Sequence, residues 1–96
     1  MATFITLANF TDQGIRTVKD SPERFQAFKA MAEGLGITVK AAYWTVGNYD
    51  LVLVVEGADE AATTLLLKAG SLGNVRTQTL RGFSEQEIRR IIGNMP

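Results

Sequence analysis

The sequence predicts an α+β fold with the element order β-α-β-β-α-β and a short C-terminal helix. Three observations carry this. Two stretches with apolar residues at helical spacing flank a central hairpin-like segment. That segment, Tyr43-Trp44-Thr45-Val46-Gly47-Asn48-Tyr49-Asp50, is followed by the unbroken apolar run Leu51-Val52-Leu53-Val54-Val55. Strand-like stretches stand before the first helix and after the second, which completes the split-βαβ, or ferredoxin-like, arrangement.

The first strand is expected from Thr3 to Phe10, with both faces at least partly buried, because Phe4, Ile5, Leu7, Ala8 and Phe10 alternate imperfectly with Thr6 and Asn9. Thr11 to Asp20 reads as a loop with room for one helical turn. Ser21-Pro22-Glu23 then starts a helix. Ser21 can cap, Pro22 suits the first helical position and Glu23 favours the positive helix end. Phe25, Phe28, Met31, Ala32 and Leu35 form its apolar stripe, and Gly34 and Gly36 end it.

Ile37 to Val46 is the second strand. Strict alternation puts Ile37, Val39, Ala41, Tyr43 and Thr45 on one face, the cleaner core face, and Thr38, Lys40, Ala42, Trp44 and Val46 on the other. Gly47-Asn48 supplies residues that tolerate positive φ in a tight turn. The third strand, Leu51 to Val55, has no polar break, so it is expected in the centre of the sheet and covered on both faces. Asp59 is the expected cap of the second helix. Its buried stripe runs through Ala61 or Ala62, Leu65, Leu66, Ala69 and Leu72 to a stop at Gly73. Val75 to Gly82 carries the polar centre Thr77-Gln78-Thr79 and suits an edge strand. Ser84-Glu85-Gln86-Glu87 is a capping box with Phe83 and Ile88 as its hydrophobic staple, and Ile88, Ile91, Ile92 and Met95 line the final helix.

The length of 96 residues suits one domain over 1–96. Ten basic residues balance ten acidic ones, which argues against a nucleic-acid or anionic-membrane partner. There is no cysteine and no histidine, so disulfides, thiolate chemistry and triad-type catalysis are excluded, and the commonest general base and transition-metal ligand are missing. No carboxylate cluster suggests a hard cation, and no cofactor is expected. The N-terminus resembles neither a signal peptide nor a membrane span, so a cytoplasmic location is expected.

Two helices on one face of a four-stranded sheet leave the other face open, yet the third strand is apolar at both parities. Either the final helix folds back over that face or two subunits pack their sheets together as a dimeric barrel. The final helix has too few apolar residues to cover four strands, so a homodimer, or a higher homo-oligomer, is the expected partner arrangement.

Gly47-Asn48-Tyr49-Asp50 at a strand start, together with Leu51-Val52-Leu53-Val54 and Gly73-Asn74-Val75-Arg76-Thr77-Gln78-Thr79-Leu80, resembles the GYD domain family. The resemblance spans about Phe4 to Phe83. It implies a dimeric α/β barrel and says almost nothing about activity; similar folds include cofactor-free monooxygenases, small isomerases and amino-acid-sensing modules.

Besides a tyrosinate, the candidate catalytic group is Asp50. It is either a general base raised by apolar surroundings or a turn residue that accepts backbone amide hydrogen bonds. Tyr43, Trp44 and Tyr49 could wall a pocket for a planar ligand or simply pair across strands. Lys19, Lys40, Arg76 and Arg81 could each bind a carboxylate, although lone basic residues are usually solvated; Lys40, mid-strand, would look to Glu56. The expected pocket, for a small organic molecule, lies between the first helix and the sheet or inside the barrel, near Tyr43, Tyr49, Asp50 and Lys19. The functional readings are a binding or regulatory module, a cofactor-independent oxygenase or isomerase, and a purely structural assembly unit.

Overall fold

Alternating and β-branched residues at both ends of the chain pair it into one sheet, and the computed structural model describes all residues, 1–96. The order is β1 (Ala2–Phe10), α1 (Asp12–Arg16), a 3-10 turn (Val18–Asp20), α2 (Ser21–Gly34), β2 (Thr38–Trp44), β3 (Leu51–Gly57), α3 (Asp59–Ser71), β4 (Val75–Gly82) and α4 (Glu85–Gly93). The sheet runs β2-β3-β1-β4, antiparallel throughout. This is the ferredoxin-like α+β architecture, with β3 inside the sheet and β4 at an edge as expected. A closed barrel is absent from one chain. The sheet has two free edges, β2 and β4.

Helices α2 and α3 cover one face. Their stripes meet at a core of Ala32, Ile37, Val55, Ala62 and Leu65, with Phe4, Phe28, Met31, Leu35, Val39 and Ala61 packed around it. The pleat of β3 sorts its side chains cleanly: Leu51, Leu53 and Val55 are buried beneath the helices, while Val52, Val54 and Glu56 point to the other face and are half-buried. Register then assigns the neighbours. Phe4, Thr6 and Ala8 lie opposite Val55, Leu53 and Leu51 on the helix side, and Ile5 and Leu7 lie opposite Val54 and Val52 on the open side.

The faces expected for the second strand are inverted beyond its midpoint. A bulge between Val39 and Ala41 leaves Lys40 without a partner residue on β3. The extra residue shifts parity by one, so Val39, Ala42 and Trp44 share the helix side while Ala41 and Tyr43 join the open face. The hairpin is also wider than a two-residue turn. Thr45 N donates to Asp50 O at 2.9 Å and Thr45 Oγ1 to Tyr49 O at 2.5 Å, closing a loop in which only Gly47 has positive φ, +148°.

Two expected caps moved by one residue. Asp20, not Ser21, precedes α2, and Ala58, not Asp59, precedes α3; neither makes a side-chain cap bond. Ser21 is instead buried and accepts the Trp44 indole N–H at 3.0 Å. The capping box of α4 is present, with Ser84 and Glu87 bonded reciprocally at 3.0 and 3.1 Å. This helix does not fold back over the sheet: none of its residues is buried, and Ile88, Ile91, Ile92 and Met95 are exposed.

Candidate functional site

A cavity of about 390 Å3 lies between α2, α3 and the covered sheet face. Twelve of its seventeen lining residues are hydrophobic. Phe25, Phe28 and Met31 come from α2, Leu66, Ala69 and Leu72 from α3, and Leu51 and Leu53 form part of the floor. The polar lining groups are Thr6, Thr77, Ser21, Asn74 and Arg24. Such a volume with few polar groups is typical of small-molecule sites.

One corner of the cavity is built by the chain reversal after β1. Asp50 accepts the Phe10 amide through Oδ2 at 2.8 Å, and its own amide donates to Ala8 O at 2.9 Å. The carboxylate stands where the next ladder carbonyl would be, so β1 stays paired for one more residue after β3 has turned away. From the other side, Thr11 N donates to Asn74 O at 3.1 Å and Thr11 Oγ1 to Gly73 O at 2.6 Å. Thr11 Oγ1 also caps α1 by accepting from Gly14 N at 3.1 Å. Gln13 Nε2 adds bonds to Leu72 O and Asn74 Oδ1 at 3.2 and 3.0 Å. Gly14 packs so closely on the Asn74 carbonyl that no side chain fits there. Gly73 holds a φ of +88°, which turns the chain from α3 towards β4.

The sequence-predicted residues fall elsewhere around this corner. Asp50 is partly buried and ties Phe10. Tyr49 reaches over the open face to Gln78 Oε1, its hydroxyl donating at 3.2 Å. Tyr43 projects from the open face and is 66% exposed. Lys19 is exposed on the 3-10 turn. None of the four lines the cavity. Asp50 and Tyr49 are adjacent on the hairpin loop, Tyr43 opposes Val52, and Lys19 joins none of them. Trp44 stands against Phe25, the rings edge-on with centroids 5.6 Å apart.

The basic candidates divide similarly. Lys40 sits exposed in the bulge and forms no ion pair with Glu56; the only ion pair of the chain joins exposed Glu85 and Arg89. Arg81 lies over the rings of Phe83 and Phe4, 4.4 and 5.7 Å from their centroids. Arg76 is exposed at the β4 edge, opposite Asn9.

Arg24 and Ser21 were not legible as site residues. Arg24 Nη1 donates to Thr17 O and Thr17 Oγ1, both at 3.0 Å, and Nη2 to Gly14 O at 3.2 Å, so it braces α1 against α2. Its proximity to the Phe25–Phe28 stripe is the one sequence signal that could have drawn attention to it. No group of three or more acidic, histidine or cysteine side chains is placed to hold a metal ion. No helix is long and apolar enough to cross a membrane.

The likeness to known proteins follows this architecture. The "Glutamine synthetase and cystathionine beta-lyase binding protein" of Thermus thermophilus is 42% identical over 91 residues, spanning 92% of this chain and 95% of that protein. The solved structure of FFRP-DM1 matches with a TM-score of 0.62 at 23% identity, covering 86% of this chain and all of that one. The leucine response regulatory protein LrpA of Mycobacterium tuberculosis matches at 0.54 and 18% identity, over 86% of this chain and 51% of its own length. The two structural likenesses show the fold alone. The GYD domain model matches residues 4–92, and the chain belongs to the GYD domain family.

Proposed function

We propose that this chain is a binding module that forms homodimers, docks on metabolic enzymes and takes up a small organic molecule as a regulatory ligand. The observation that carries this reading is the cavity under α2 and α3. It has the volume and the apolar walls of a ligand site but no group suited to proton transfer. Arg24 is its only charged lining residue, and a guanidinium stays protonated and cannot act as a base. The cofactor-independent enzyme reading therefore lacks a base inside the cavity, and Asp50, its weak candidate, is bonded to the Phe10 amide outside it.

The Thermus relative, named for binding glutamine synthetase and cystathionine beta-lyase, supports enzyme partners of that kind for this chain as well. An apolar surface remains for assembly. The open sheet face presents Ile5, Leu7, Val52, Val54 and Leu80, which supports sheet-to-sheet packing of two copies into a dimeric α/β barrel. In that dimer Tyr43 and Tyr49 lie at the interface, as packing residues or as contacts to a ligand held there. The reading takes 1–96 as one domain acting in the cytoplasm beside its partner enzymes.

The test is co-sedimentation of the purified protein with the glutamine synthetase and the cystathionine beta-lyase of its own organism. A shifted boundary with either enzyme is the expected result. Independent sedimentation with both, at micromolar concentrations, removes the enzyme-docking reading.

A further inference from the structure

We propose that the cavity under α2 and α3 selects a small amphipathic monocarboxylate, with its apolar part among Phe25, Phe28, Leu53 and Leu66 and its carboxylate at Arg24 and Ser21. This rests on the reading of the cavity as a ligand site and adds the chemistry of the ligand. Three observations lead to it.

The first is an uncompensated charge. Arg24 is half-buried and borders an otherwise apolar space, yet no carboxylate stands within 4.0 Å of its guanidinium. Its three bonds go to neutral oxygens of Thr17 and Gly14. Two of its five N–H donors remain. Partial burial raises the cost of a lone charge, and an incoming anion offsets that cost. Glu23, in the same turn, is exposed and does not line the cavity.

The second is Ser21. It is 5% exposed and lines the cavity. Its oxygen accepts from the Trp44 indole, which leaves its own proton to donate. The third is their placement. Ser21 and Arg24 both belong to the first turn of the 14-residue helix α2, three residues apart and so on one side of it. A cation and a hydroxyl donor thus stand together where that turn meets the cavity, and the rest of the lining carries no charge. One anionic head and one apolar body match that arrangement. A dicarboxylate does not, because its second charge would enter the hydrophobic part.

Trp44, the only tryptophan, reports on the site through its contacts with Ser21 and Phe25. Titration of the full chain with octanoate and with 1-octanol, followed by Trp44 emission and by amide shifts in NMR, separates the head group from the tail. Octanoate is expected to bind at least about tenfold more tightly than the alcohol, the range expected for hydrogen bonds to a charged group. Arg24→Gln should abolish that preference while octanol affinity stays the same; Arg24→Lys should retain part of it. Ala27→Phe, from an exposed lining position on α2, should weaken both probes if the cavity is the site.

Equal binding of acid and alcohol to the wild type overturns the carboxylate inference but leaves a ligand-binding cavity standing. An unchanged octanoate affinity in folded Arg24→Gln also overturns it. Unchanged binding in Ala27→Phe, or no binding of either probe to the wild type, removes the cavity as the ligand site. Enzyme docking is read by a separate measurement and survives any of these results.

Discussion

Replacing Asp50 with alanine should cost the fold about 1.5 kcal/mol and loosen the corner of the cavity at Phe10. The figure follows from one bond. Asp50 Oδ2 accepts the Phe10 amide at 2.8 Å in a partly buried setting, and alanine leaves that N–H without an acceptor. Bonds to charged acceptors contribute roughly 1.5–3 kcal/mol, and partial exposure of Asp50 sets the lower end. At roughly 4–8 °C per kcal/mol for a chain of this size, Tm should fall by about 6–12 °C. Asp50→Asn keeps a neutral oxygen in the same place and should lose about half as much. Urea and thermal unfolding at one fixed protein concentration provide the measurement, because self-association would otherwise shift both transitions. Asp50→Ala within about 0.5 kcal/mol of the wild type would show that the carboxylate does not hold the strand end. A stable Asp50→Asn that loses ligand binding would return Asp50 to the role of a functional acid.

Three further outcomes are expected. Gly14→Ala should destabilise the fold by about 2 kcal/mol or more, because its Cβ meets the Asn74 carbonyl that Thr11 N bonds; a stability equal to the wild type in urea would contradict that packing. If the proposed homodimer forms through the open sheet face, Val54→Asp should sediment as a monomer where the wild type sediments as a dimer, whereas a wild type that is already monomeric at micromolar concentration would remove the barrel. The Ser84 backbone amide and hydroxyl hold Glu87 below its ordinary value of 4.5, so its cap is fully formed above that value and is lost as pH falls through the lower, folded value. The helicity of α4, read by NMR shifts of residues 85–93, should therefore decline below about pH 4.5, and Glu87→Gln should remove that decline.

Local signals made most of the sheet legible. The run Leu51–Val55 shows its central position because a strand buried on one side and half-covered on the other needs apolar side chains at both parities. The capping box at Ser84 shows the start of α4 because all its partners lie within four residues. The features that escaped are decided at long range. The bulge at Lys40 depends on how β2 docks on β3, and it inverts the side chains of Ala41 to Trp44, so Tyr43 faces away from the helices and Trp44 towards them. Ser21 forms no cap because it is already the first helical residue, after Asp20, and its oxygen accepts instead from Trp44, twenty-three residues away. The cavity is lined jointly by α2, α3 and three strands, a combination that no window of sequence encodes. Its one charged residue, Arg24, reads along the chain as an ordinary exposed helix arginine.

The two blocks that mark the family, Gly47–Asp50 and Gly73–Leu80, lie far apart in sequence but act on adjacent residues. Asp50 fastens the amide of Phe10 from the β3 side, and the Gly73 and Asn74 carbonyls fasten Thr11 from the β4 side. Between them they fix where β1 ends and where α1 begins. Phe10 and Asn74 both line the cavity, and α1 is also the element that Arg24 braces through Thr17 and Gly14. The aspartate of the signature thus acts at one remove. It sets the position of a corner, the corner positions α1, and α1 holds the guanidinium at the edge of the apolar space. The signature aspartate can therefore shape the cavity without lining it. On that account Asp50→Asn should alter the acid preference of the cavity only to the extent that it loosens Phe10 and Thr11, and the two effects should scale together across substitutions at Asp50, Gly73 and Asn74.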